Sequence, residues 1–193
     1  MPFPTKLSSR GRVPPQWQVE RLNTGREQFT LLRSRTAEQE VKVRRRVLLV
    51  HGWAGDALQM RSLGEALGAS GFEPVLMDLP AHGRSSGWRC TMPQIVRSLF
   101  EAQSRIGPFE AIVAHSMGAV ASLHAMAHGL QARQLVALAP SSPPESVLRW
   151  FGEAFNLSHT LMANMRARII KNEQMGVVSE NGKQSTLSRL QGP

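Results

Sequence analysis

The chain has 193 residues, 41% of them hydrophobic and 19% charged, with one cysteine and a net charge of +9. That balance excludes a disordered chain, a disulfide scaffold and a single long membrane helix, because no run of about 18 apolar residues is free of polar interruption. The length suits one folded domain with a substantial core.

Residues 1–16 hold Pro2, Pro4, Pro14 and Pro15 with Ser8, Ser9 and Gly11 and read as a flexible basic arm. The start lacks the apolar segment of a secretory signal. Residues 1–46 carry 11 Lys/Arg against 4 Asp/Glu, residues 165–193 carry 5 against 2, and residues 47–164 carry 7 against 8. The basic excess therefore lies in the flanks. A nucleic-acid face would persist on the folded body with groove-reading or aromatic elements. None is visible, so solvated flanks are expected and no nucleic-acid partner. An anionic surface is the other reading of the flanks. Cys90 cannot pair internally, which fits a reducing, cytoplasmic location.

Residues 17–35 are expected to form a hairpin, with strands around Trp17–Leu22 and Gln28–Leu32 and a turn at Asn23-Thr24-Gly25. Arg46-Val47-Leu48-Leu49-Val50 is an apolar run suited to a strand covered on both faces. It runs into His51-Gly52-Trp53-Ala54-Gly55, whose glycines permit a close turn at the strand's carboxyl end. Residues 57–69 recur at helical spacing, and Pro74-Val75-Leu76-Met77 is the next strand. The polar loop Asp78-Leu79-Pro80-Ala81-His82-Gly83-Arg84-Ser85-Ser86-Gly87 follows, with Asp and Ser side chains able to bond nearby backbone.

A second helix is expected over 92–106, stopped by Gly107-Pro108. Residues 111–114 read as a buried strand, 117–127 as a helix of small residues ending before Gly129, and 134–139 as a further strand closed by Pro140. Strands and helices alternate at parallel-sheet lengths. The expected class is α/β, a three-layer α/β/α arrangement with a mostly parallel sheet. Residues 17–143 form its core and residues 144–170 an apolar helical cap or lid. Residues 171–193 read as a weakly ordered tail. The sheet is expected to be incomplete at the C-terminus, which leaves an aggregation-prone edge strand.

Ser116 sits where the strand meets the helix of small residues, in Ala114-His115-Ser116-Met117-Gly118. That is the pattern of a nucleophile elbow, with Ala114 in place of the usual first glycine. A Ser-Met-Gly turn without chemistry is the plainer reading. His124 and His128 stand one helical turn apart with no third ligand, so they are read as ordinary helix residues and no metal site is expected.

Three motifs stand in order: His51-Gly52-Trp53-Ala54-Gly55, Asp78-Leu79-Pro80-Ala81-His82-Gly83-Arg84-Ser85, and Ala114-His115-Ser116-Met117-Gly118. Together they resemble the α/β-hydrolase fold superfamily over about residues 45–170. The resemblance implies Ser116 as nucleophile, the backbone N–H groups of Trp53 and Met117 as the oxyanion hole, and no metal or organic cofactor. It implies hydrolysis of a carboxylic ester or thioester through an acyl-serine, and the aromatic and Met-rich cap segment favours a small apolar ester or acyl substrate. Ser at the elbow speaks against dehalogenase or epoxide-hydrolase chemistry, which uses a carboxylate there.

The family's Asp/Glu and His follow on later strands. Here only Glu145, Glu153, Glu173, Glu180 and His159 come after Pro140. His159, His82 and His115 are the weak candidates for a base, and no acid is identifiable. Asp78 is expected to fix its own loop. The chain thus looks like the N-terminal two-thirds of a hydrolase. A catalytically incomplete remnant, acting as a ligand-binding module or without independent activity, is the alternative function. The oligomeric state is not legible.

Overall fold

The computed structural model describes residues 11–24, 27–35, 45–141, 158–164 and 166–167. The chain divides into two compact units, Met1–Ser141 and Ser142–Pro193.

In the first unit, β1 (Trp17–Thr24) and β2 (Glu27–Ser34) pair antiparallel from Trp17↔Ser34 to Thr24↔Glu27. Asn23 and Thr24, expected in the turn, belong to the ladder. Their pairing with Gln28 and Glu27 satisfies backbone groups that a wider turn would leave to water. Then come β3 (Arg46–Val50), a 3-10 turn (Ala57–Met60), α1 (Arg61–Ala69) and β4 (Glu73–Asp78). They are followed by α2 (Met92–Ile106), β5 (Phe109–His115), α3 (Met117–Ala127) and β6 (Ala132–Leu138). The helix expected over 57–69 is thus split. Asp56 accepts the Gln59 N–H at 3.3 Å and starts the tighter turn before α1 begins.

The sheet runs in the order β1-β2-β4-β3-β5-β6. β2 meets β4 antiparallel, while β4, β3, β5 and β6 are parallel. This is the expected mixed, mostly parallel sheet between helical layers. Alternation along the strands sorts the core. Leu48, Val50, Val75, Met77 and Ile112 pack with Ile95 and Leu99 of α2 and Ala121 and Ala125 of α3. Val47, Leu49, Leu76 and Val113 face the other way, with Trp17, Ala57 and Met60. α2 starts at a capping box, in which Thr91 accepts the Gln94 N–H and Gln94 reaches back to the Thr91 N–H at 2.8 Å.

Parallel strands bring their carboxyl ends to one edge, so the three motif loops converge there. Each parallel strand is followed by a non-glycine residue with positive φ: Ala54 (59°), Ala81 (62°), Ser116 (53°) and Ala139 (41°). Such conformations are uncommon outside glycine and concentrate at functional sites. Far from these loops, Glu73 opens β4 as a buried carboxylate, held by Arg33 at 2.7 Å and Arg46 at 3.0 Å.

β6 is the outer strand of this sheet, and Val136 and Leu138 are 44% and 37% exposed. In the second unit, residues 159–164 are helical, and Ser158 Oγ accepts the Leu161 N–H at 3.3 Å. The rest of the expected cap, including 144–157, the arm over 1–10 and the tail over 171–193 lie outside the described residues.

Candidate active site

The strand–helix junction forces Ser116 into an unusual backbone state, φ 53° and ψ −120°. Two ties hold it: its N–H donates to Leu138 O of β6 at 3.0 Å, and its carbonyl accepts the Ala119 N–H at 3.1 Å. The residue is partly exposed. The turn closes only because its neighbours are small. A Cβ on Gly118 would lie 2.4 Å from His51 O and 2.9 Å from Val50 Cγ1, so the start of α3 rests on the end of β3. A Cβ on Gly52 would lie 2.9 Å from Ser116 Cβ and 3.0 Å from His115 Nδ1. The His51–Gly55 loop therefore lies directly against the serine.

Met117 is the first residue of α3, where backbone N–H groups have no partner within the helix. Trp53 follows Gly52. Among the described residues neither N–H has a hydrogen-bond acceptor. The two amides come from the two segments that flank the Ser116 side chain, as an oxyanion hole requires.

The histidines divide by environment. His51 is fully buried; Nδ1 donates to Gly52 O at 2.6 Å and Nε2 accepts the Leu79 N–H at 3.1 Å. Burial pulls its pKa down to about 3, helped by the nearby His82 and His115, against the opposing bond to Gly52. His82 is buried as well; Nδ1 donates to Pro80 O at 2.8 Å and Nε2 accepts the Ala54 N–H at 3.1 Å. An imidazole with both nitrogens so engaged has no lone pair left for a substrate proton. His115 ends β5 and is exposed, and its Nδ1 lies against Gly52, as Ser116 Cβ does. His159 begins the helix of the second unit and is exposed. His124 and His128 stack at 4.2 Å on α3, about 12 and 18 Å along the axis from Ser116 at 1.5 Å per residue.

Asp78 does more than fix its own loop. Its buried carboxylate accepts the Arg84 N–H at 3.0 Å, and also the Ala57 N–H, just past the first loop, at 2.6 Å. Burial raises its pKa, opposed by these two bonds and by the Arg84 charge. Ser85 Oγ donates to Asp78 O at 2.7 Å and accepts the Thr30 N–H of β2 at 3.0 Å. The cross-loop bonds of His51, His82 and Asp78 were missed in the sequence. Their one signal there is the His-Gly pair repeated after two neighbouring strands. Among the described residues no group of three or more His, Cys, Asp or Glu could hold a metal ion.

The sequence profile of the alpha/beta hydrolase fold matches residues 45–175, and the chain belongs to that family. An esterase of Pyrococcus furiosus superposes with a TM-score of 0.64 at 17% identity, over 86% of this chain and 66% of that one. Mouse alpha/beta hydrolase domain-containing protein 10 gives 0.60 at 14% identity, over 78% and 59%. An epoxide hydrolase variant of Vigna radiata gives 0.54 at 17% identity, over 65% and 39%. At such identities the likeness is one of fold. The chain spans less than two-thirds of the length of each of these three structures. No curated protein matches the sequence.

Proposed function

We propose that the protein is a serine hydrolase of small apolar carboxylic esters or thioesters. The observation that carries this is the backbone of Ser116, held at φ 53° between β5 and α3 with Gly52 against its side chain. In the proposed reaction Ser116 Oγ attacks the acyl carbon and its proton passes to a base. The carbonyl oxygen gains negative charge beside the Trp53 and Met117 N–H groups. Removal of one such donor costs about 2.7–4 kcal/mol in other enzymes, so the pair is a large share of the catalysis. The leaving alkoxide or thiolate takes the proton, and water then releases the acid from acyl-Ser116. With the lone pairs of His51 and His82 bound to backbone, His115 is the candidate for the base that remains beside Ser116 among the described residues of the first unit. The serine at the elbow separates this chemistry from that of a carboxylate nucleophile.

The same engagement of His51 and His82 favours a second reading, a binding module that holds an acyl ligand without turnover. A fluorophosphonate probe read by intact mass distinguishes the two. The expected result is one adduct on the full chain, lost in Ser116→Ala. Folded protein without an adduct overturns the hydrolase reading and leaves the binding module.

A further inference from the structure

The first two motif loops exchange imidazoles, and the first of them lies against Ser116. His51 of the first loop reaches across to accept the Leu79 N–H of the second at 3.1 Å. His82 of the second reaches back to accept the Ala54 N–H of the first, also at 3.1 Å. Each ring turns its Nδ1–H to a carbonyl of its own loop, Gly52 O at 2.6 Å and Pro80 O at 2.8 Å. The partners dictate the tautomers. An amide N–H can only donate, so each Nε2 is bare, and a carbonyl can only accept, so each Nδ1 carries the proton. The rings lie 5.3 Å apart, and His82 meets the Trp53 indole edge-on at 5.3 Å.

What this arrangement acts on is Ala54. It has φ 59°, a strained state for alanine, and its amide follows directly on Trp53. The His82 bond holds Ala54 in that state. The same bond pins the Trp53–Ala54 peptide, the unit next to the Gly52–Trp53 peptide, whose N–H has no acceptor among the described residues.

We infer that His82 is a positioning residue, which, paired with His51, clamps the His51–Gly55 loop so that the Trp53 N–H stays aimed beside Ser116. The inference rests on the hydrolase reading for its catalytic meaning. The clamp itself is open to observation without catalysis.

The experiment uses the full chain and three proteins: wild type, His82→Ala and His82→Gln. Gln can offer an acceptor oxygen near the position of Nε2. Ring 15N shifts are expected to report bare Nε2 and protonated Nδ1 for both His51 and His82 in the wild type. Hydrogen exchange is expected to find the Ala54 amide protected in wild type, released in His82→Ala and protected again in His82→Gln, with Leu79 protected throughout. Fluorophosphonate labelling of Ser116 is expected to slow about 10- to 100-fold in His82→Ala, less than outright loss of a donor, and to recover most of the way in His82→Gln.

A protonated Nε2 on wild-type His82, an unprotected wild-type Ala54 amide, or a folded His82→Ala labelled at the wild-type rate would each overturn the inference. If His82→Ala does not fold, the wild-type ring shifts and the Ala54 exchange decide it. Wild-type protein that takes no label sinks the hydrolase reading, while ring shifts and exchange still decide whether the clamp exists.

Discussion

At Gly118 an added methyl group would meet the carbonyl oxygen of His51 at 2.4 Å, and backbone cannot step aside as a flexible side chain can. Gly118→Ala is therefore expected to lower stability by about 1–3 kcal/mol, the ordinary cost of overpacking a tight site. Gly52→Ala makes its nearest contact with Ser116 Cβ at 2.9 Å and its next with His115 Nδ1 at 3.0 Å. Its effect is expected to fall on Ser116 labelling more than on melting, because the displaced segment is the loop that carries Trp53. Urea melts and labelling rates of the two variants side by side check this contrast. The reverse pattern would mean that the elbow tolerates the first methyl and the loop absorbs the second.

Elements matter here for what they hold in place. β2 does more than extend the sheet. Its Thr30 and Gln28 N–H groups donate to Ser85 and Ser86 hydroxyls at 3.0 and 2.8 Å, so the antiparallel hairpin anchors the loop that carries His82. α2 packs Ile95, Leu99 and Ala102 into the core behind that loop, and its start is set by Thr91. Thr91→Ala removes the acceptor for the Gln94 N–H and half of the capping box. The expected cost is about 1 kcal/mol, with an unchanged dependence on urea concentration. An unchanged midpoint would show that Pro93 and the packed face suffice to start the helix.

Over the whole molecule, a buried neutral imidazole makes stability depend on pH. His51 stays neutral in the folded chain down to about pH 3, while an unfolded histidine takes its proton near the ordinary 6.5. Between those values the unfolded chain binds the extra proton. Stability from this group is therefore complete above pH 6.5 and falls as the pH drops toward 3. One proton of difference lowers the folding equilibrium about tenfold for each pH unit. Asp78 acts in the opposite sense. Burial raises its pKa above the ordinary 3.8, so in that window the folded chain takes up a proton first and offsets part of the loss. Urea melts from pH 7 to 5 are expected to show falling stability. A flat profile would mean that His51 is not held neutral in the folded chain.

The parts of this protein legible from sequence are those that rest on local pattern. Val47 to Val50, Leu76 and the stretch around Ile112 are apolar because both faces of a parallel strand are covered, and that periodicity needs no knowledge of the fold. The Gly107-Pro108 stop, the helix from Met92 to Ile106 and the elbow around Ser116 were readable for the same reason. The extent of the hairpin was not, since Asn23 and Thr24 are drawn into the ladder by partners on β2. Nor were the roles of the histidines. His82 looked like a base in sequence because a lone imidazole in a polar loop is chemically available. Only the approach of the two loops, set by adjacent parallel strands, fills both its nitrogens with backbone partners. The pairing of β3 with β5 likewise brings Gly52 against Ser116 and His115. Residue types determine which chemistry is possible, whereas distances between segments far apart in the chain decide which lone pairs and amides remain to perform it.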